Sequence, residues 1–212
     1  MMCAVRGTRI VGRVMGLGVA LLFFGAGLSA QNAWAGGATD AMKGTIDEVL
    51  RIVQDKDLRK PAKSEERRML LEQVVGERFD YAEMSRRSLG APWAKLSDKE
   101  KAEFVELFQT LLVNSYADKV EAYSGEGVEY INERTEKDYA EVRTKVLTGK
   151  TEIPLDYRLL FKASVWRVYD VVVDGVSLVN NYRGQFTKIL RSGTFADLLD
   201  QLRKKSDKIK TS

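Results

Sequence analysis

The polar side chains best placed to do chemistry lie in residues 166–186, WRVYDVVVDGVSLVNNYRGQF. An aspartate such as Asp170, beside a tyrosine such as Tyr157 or Tyr182, suits general acid–base catalysis on an apolar substrate. Arg183 suits a phosphate group, because a guanidinium donates two parallel hydrogen bonds to phosphate oxygens. Both charged residues are also compatible with a structural corner, in which their polar groups are satisfied by neighbouring backbone and side chains.

Other kinds of catalysis are excluded by composition. The sequence contains no histidine, and its single cysteine is Cys3. Serine–histidine and cysteine–histidine catalysis and the usual zinc ligands are therefore absent from residues 36–212. Asp174 precedes Gly175, a pair that is typical of a tight turn rather than of a catalytic acid. We predict no catalytic residue, no metal site and no cofactor.

Residues 1–35 have the pattern of a secretory signal peptide. Three arginines precede an apolar run over residues 14–28, and Ala33 and Ala35 flank Trp34 as a small-x-small cleavage site. The alternative is a membrane anchor, but a run of about 15 apolar residues is shorter than the roughly 20 that span a bilayer.

Residues 36–212 have a length that suits a single domain. The formal net charge of the whole chain is +4, and three of these charges are leader arginines, so the remaining chain is nearly neutral. It has no basic stripe of the kind that binds nucleic acid. We expect a monomer that does not bind nucleic acid.

The hydrophobic period predicts helices, then strands, then helices. Helices are predicted over residues 39–53, 64–79, 81–89, 97–123, 177–191 and 194–205, and strands over 128–135, 139–148, 152–163 and 165–173. Short connections between the strands favour antiparallel neighbours. The predicted fold is α+β: a curved four-stranded antiparallel sheet with helices covering one face and an apolar pocket between them.

Strict alternation in the fourth predicted strand assigns Asp170 to the same face as Trp166, Val168 and Val172. Parity therefore does not exclude Asp170 from a cavity on the apolar face. An enzyme would need this carboxylate to point into the cavity, whereas a protein that only binds an apolar molecule there would have an uncharged wall.

Three blocks of sequence resemble the MlaC family. They are RFDYAEMSRRSLGAPW at 78–93, FVELFQTLLVNSYADKVEAY at 104–123, and the block at 166–186 already quoted. The resemblance runs in matching order from about residue 47 to about residue 202. It implies a soluble periplasmic carrier that moves phospholipid between the outer and inner membranes. The implied partners are an outer-membrane lipoprotein–porin complex and the substrate-binding ring of an inner-membrane ABC transporter.

The resemblance also implies that acyl chains occupy the apolar pocket, with the head group near solvent. The side chains assigned to this pocket are apolar or aromatic: Phe104, Phe108, Leu111, Tyr157, Trp166, Val171, Val173, Val176, Leu178, Tyr182 and Phe186. For each single ring, ordinary core packing is the simpler interpretation. Arg183 is predicted to stabilise the corner, through backbone carbonyls or with Asp80, Asp170 or Asp174 as a partner, or else to contact a lipid phosphate.

A carrier is consistent with the energetics of acyl chains. Burying a CH₂ group contributes about 0.8 kcal/mol, so exposing two chains of about 16 carbons to water would cost on the order of 25 kcal/mol. A dry pocket meets this need without an acid, a base or a metal. The alternatives are a carrier of a polycyclic (hopanoid) lipid, a small α+β enzyme using Asp170 and a tyrosine, and an adaptor with a filled core.

Overall fold

The computed structural model describes residues 37–123, 127–149 and 151–210, with side chains as far as 206. The predicted signal peptide lies outside these residues and stays a prediction. The helices are α1 Ala38–Gln54, α2 Ser64–Arg78, α3 Tyr81–Leu89, α4 Asp98–Glu121, α5 Leu178–Ser192 and α6 Phe195–Lys210, with 3₁₀ turns at Pro61–Lys63 and Ala91–Lys95. The strands are β1 Val128–Glu136, β2 Tyr139–Thr148, β3 Thr151–Lys162, β4 Val165–Val173 and β5 Val176–Ser177.

Capping side chains determine where several helices begin. Ser97 and Glu100 form the predicted capping box at the start of α4, with the Ser97 N–H donating to the Glu100 carboxylate at 2.8 Å. At α3 and α5, Asp80 and Ser177 accept the backbone N–H three residues ahead, at 2.9 and 3.1 Å. These caps satisfy N–H groups that have no partner inside a helix.

The sheet is an open antiparallel meander in the order β1-β2-β3-β4-β5. The α+β class is confirmed, but the predicted number of four strands was wrong, because β5 adds a fifth. The sequence pattern missed β5 because a strand of two residues is too short to show the alternation of apolar and polar side chains. A tight turn at Asp174 and Gly175, whose φ angles of 47° and 79° are both left-handed, folds β5 back onto β4.

A bulge in β4 changes which side chains share a face. Arg158 of β3 pairs with Asp170, but the next residue, Leu159, pairs with Val168, which leaves Tyr169 as the extra residue. The guanidinium of Arg87 lies over the Tyr169 ring, 4.0 Å from its centroid.

The expectation that Asp170 shares a face with Trp166 and Val168 was therefore wrong. Strict alternation cannot cross the extra residue, so Asp170 lies on the opposite face with Arg158 and Val172. The same bulge brings Val171 and Val173 onto the face of Trp166 and Val168, where they pair with Tyr157 and Leu155 of β3. The apolar face of β4 is continuous only because of the bulge.

Buried apolar side chains form two main clusters. The helical core lies among α3, α4, α5 and α6, and the sheet core lies on one face of β2, β3 and β4. Ala38 and Met42 of α1 and Leu178 of α5 belong to the sheet core, so helices cover this face. A smaller third cluster joins α1 to α2 through Ile52, Val53, Leu58 and Leu71.

Candidate functional site

The sheet core and the helical core meet at two aromatic rings. Phe79, just after α2, and Tyr116 of α4 are both only partly buried, and each packs against both cores. We call this boundary the seam. Its two walls are apolar, and the rings of Phe79 and Tyr116 contact both of them.

Phe79 is held in place by its neighbours in the RFDY block. Arg78 donates to the Thr45 hydroxyl at 2.8 Å and to the Trp166 carbonyl at 2.7 Å. The Asp80 N–H donates to the Val168 carbonyl at 2.8 Å, and Phe79 itself forms a parallel bridge with Val168. The backbone on both sides of Phe79 is thereby fixed to β4, which directs the ring toward the cores.

The predicted pocket residues divide between the two walls of the seam. Leu111 and the rings of Phe104, Phe108, Tyr182 and Phe186 belong to the helical core. Those of the sheet core are Tyr157, Trp166, Val171 and Leu178, with Val173 partly buried against it. Val176 belongs to neither core: it lies on the surface, 56% exposed. The structure therefore divides the other ten residues between two apolar cores that meet at the seam, and their contact with a lipid stays a prediction.

The rings of the helical wall pack closely on one another. Phe108 lies 5.0 Å from Tyr182, 5.3 Å from Phe186 and 5.9 Å from Phe104, measured between ring centroids. Phe104 and Phe108 are fully buried. Edge-to-face contacts at such distances stabilise a core beyond simple burial. In this conformation the four rings act as the interior of the helical layer.

The sheet wall carries phenol groups in an apolar environment. Burial raises the pKa of the Tyr157 phenol well above its ordinary value and raises the pKa of Tyr130 to about 12. The Tyr130 hydroxyl is buried without a hydrogen-bond partner among the described residues. Both phenols stay protonated at neutral pH, so the wall is uncharged there.

The polar cluster that raised the question of chemistry is a helix cap. The Asp170 carboxylate is buried and accepts the Ser177 hydroxyl at 2.6 Å, the Val179 N–H at 3.0 Å and Arg158 at 3.0 Å. These donors include the Val179 N–H in the first turn of α5, where a negative charge is stabilised. The group that an enzyme would need in the cavity lies on the other face of the sheet.

Arg183 also contacts backbone. Its Nε and one terminal nitrogen both donate to the Arg87 carbonyl, at 2.9 and 2.6 Å, near the end of α3. The partner is thus a carbonyl group and not one of the aspartates expected from the sequence. This contact joins α5 to the C-terminal end of α3, where Gly90 follows with a left-handed φ of 70°.

A cleft of about 360 Å³ lies on the helical layer, between α5 and α6 with Leu111 of α4. Its apolar lining is completed by Tyr182, Phe186, Ile189, Leu198 and Leu202, and its polar lining consists of Gln185, Gln201, Lys204 and Lys205. Sequence reasoning did not single out these two lysines, because a basic last turn is typical of a solvated helix end. It also gave Phe79 and Tyr116 no special role, although both lie in the family-like blocks.

Neither a metal centre nor a membrane span is found in the described part of the chain. Within residues 37–123, 127–149 and 151–210, no group of three acidic, histidine or cysteine residues is arranged to hold a metal ion. The helices of the same ranges are too short or too polar to cross a bilayer.

The sheet core and the helical core adjoin through apolar side chains, and the buried carboxylates of Asp80 and Asp170 cap helices. The chain belongs to the MlaC family, because the family model described as MlaC protein matches residues 43–204. The resemblance found in the sequence is confirmed.

A solved structure has the same fold. The phospholipid-binding protein from Ralstonia solanacearum, determined in complex with a phospholipid, superimposes with a TM-score of 0.74. It is 25% identical in sequence, and the match covers 82% of this chain and 99% of that one. The comparison with curated protein sequences found no match.

Proposed function

We propose that this protein binds a phospholipid with its acyl chains in the seam between the sheet core and the helical core. The main observation in support is that the partly buried rings of Phe79 and Tyr116 contact both apolar walls. An acyl chain that enters between the two cores would have to displace these two rings. The fold shared with a protein that holds a phospholipid supports the same function.

The physical requirement for a carrier is that the acyl chains stay away from water. Each exposed CH₂ group costs about 0.8 kcal/mol, so both walls must be apolar along the length of a chain. Val171 and Val173 lie beside Tyr157 on the sheet wall because of the β4 bulge, and Phe186 and Leu111 belong to the opposite core. Asp170, which would oppose this role, is on the other face.

The wider function proposed here is transport. The protein works in the periplasm after removal of a signal peptide, and it carries lipid between the outer and inner membranes. Its proposed partners are an outer-membrane lipoprotein–porin complex and the substrate-binding ring of an inner-membrane ABC transporter. These proposals rest on membership of the MlaC family.

Native mass spectrometry tests the cargo directly. The mature protein is purified without detergent from a Gram-negative periplasm, and whatever it carries is extracted and identified. We expect a bound phospholipid. A polycyclic lipid in its place would change the cargo class, and a protein that stays empty when offered lipid vesicles would contradict the carrier and favour an adaptor with a filled core.

A matched pair of variants tests the seam. Val173 is partly buried against the sheet core, whereas its cross-strand partner Val176 is 56% exposed. Val173→Glu places a charge on a dry wall, where it is costly, so we expect the folded variant to lose most of its co-purified lipid. Val176→Glu adds the same charge in water and should keep its lipid. Equal loading of both folded variants would show that the acyl chains do not pass Val173.

A further inference from the structure

The cleft between α5 and α6 has two chemically different parts. Its floor is formed by apolar side chains, including Phe186, Ile189 and Leu198, and its rim carries Lys204 and Lys205. Its volume of about 360 Å³ is within the range of small-molecule sites. An apolar floor below two ammonium groups fits an amphiphile with an anionic head.

The two lysines differ in how far they are already paired. Lys204 forms an exposed ion pair with Asp200, one helical turn earlier, at 2.6 Å. The Lys205 ammonium lies 5.8 Å from the centroid of the Tyr182 ring, and among the described side chains no carboxylate is within ion-pair distance of it. Lys205 therefore has capacity to bind an incoming anion, and Lys204 adds to the local positive potential.

The floor of the cleft leads toward the seam. Tyr182 lines the cleft and belongs to the helical core, and Tyr116 is one of the two bridging rings of the seam. Both tyrosines contact the helical core: Tyr182 belongs to it, and Tyr116 is partly buried against it. The floor of the cleft is thus made of side chains of the helical core, which is one wall of the seam.

We propose that the cleft is where the anionic head of the carried phospholipid binds, with its phosphate at Lys205 and Lys204 and its acyl chains directed past Tyr182 into the seam. This inference rests on the proposed function. It assigns head-group recognition to α6, whereas Arg183, the candidate suggested by the sequence, donates to the Arg87 carbonyl. Ionic attraction at this rim favours lipids with a net negative head over zwitterionic ones.

The test compares two lipids on one pair of variants. Wild-type protein and Lys204→Gln/Lys205→Gln are incubated with vesicles of phosphatidylglycerol or of phosphatidylcholine, and bound lipid is measured by native mass spectrometry. Lys99→Gln/Lys101→Gln is the control, since it removes the same charge from the first turn of α4, away from the cleft.

We expect the cleft variant to bind phosphatidylglycerol about three- to tenfold more weakly, the range for two partly exposed ion pairs. Phosphatidylcholine binding should fall less than twofold, and the control should match wild type. Gln201→Glu, which adds a carboxylate to the rim while both lysines stay, should act in the same direction.

Two results would overturn the inference in different ways. Unchanged phosphatidylglycerol binding, or an equal loss for both lipids, would show that the lysines do not recognise the head group, while the seam remains the proposed acyl site. Wild-type protein that takes up neither lipid would contradict the carrier function, and the head-group site with it.

Discussion

Replacing Asp170 by alanine is expected to lower the free energy of unfolding by about 3 kcal/mol and to leave lipid binding by the folded protein unchanged. The carboxylate is 4% exposed and accepts hydrogen bonds from Ser177, Val179 and Arg158. Its removal leaves the Val179 N–H in the first turn of α5 without its acceptor and Arg158 without its buried partner. An enzyme that used Asp170 would instead lose its function with this change.

The magnitude follows from the burial of the partners. Removing one member of a buried, hydrogen-bonded ion pair costs about 3–5 kcal/mol. The Arg158 side chain is 35% exposed and is also 3.5 Å from Glu141, so it retains water and a second carboxylate. We therefore take the low end of the range. In a domain of this size 1 kcal/mol changes Tm by about 2–4 °C, so Tm should fall by about 6–12 °C.

Urea denaturation and scanning calorimetry measure this change, and an unaltered m-value would show that the unfolded state is the same. Asp156→Asn is the control, because Asp156 is an aspartate on the same face of the sheet and is expected to change stability by less than about 0.5 kcal/mol. The reasoning is refuted if Asp170→Ala costs less than 1 kcal/mol, or if it abolishes lipid binding at unchanged stability.

Two other predictions concern α3. Arg183→Ala should lower Tm and leave the lipid content unchanged, because the guanidinium donates twice to the Arg87 carbonyl. Calorimetry measures Tm, and lipid extraction measures the lipid content. Loss of lipid without a change in Tm would make Arg183 a head-group ligand. The hydrogen bond from Arg86, opposed by burial and aided by Arg87, lowers the pKa of Glu83 from 4.5 to about 2. A lowered acid pKa stabilises the fold above the unfolded value, so the stability difference between wild type and Glu83→Gln should disappear as the pH falls from about 5 to 2 in urea titrations. A difference independent of pH over that interval would contradict this account.

The family-like blocks build the walls of the seam rather than a reactive centre. Arg78 and Asp80 fix Phe79 against β4, and Gly175 allows the turn that places Ser177 beside Asp170. The polar residues that the sequence offers as candidates for catalysis or ligand binding therefore orient the Phe79 ring and cap the start of α5. This explains how a polar corner and apolar wall residues can occur in one stretch of chain.

Local physical chemistry made much of the fold predictable from the sequence. The capping box at Ser97, the helix α3 over Tyr81–Leu89 and the four longer strands depend on side chains close together in the chain. Helical and strand periods are local signals of this kind, and the three family-like blocks identified the family without a structure.

Tertiary structure decided which side chains face one another. The bulge at Tyr169 places Asp170 off the apolar face and Val171 and Val173 on it. The alternation of apolar and polar residues along the strand does not predict where an extra residue is inserted. The residues that contact the bulge are distant in sequence: Arg87 stacks on Tyr169, and Val179 donates to Asp170. The division of the predicted pocket into two walls, the exposure of Val176 and the cleft beside Lys205 likewise depend on how distant helices pack, which the sequence pattern of each helix does not specify.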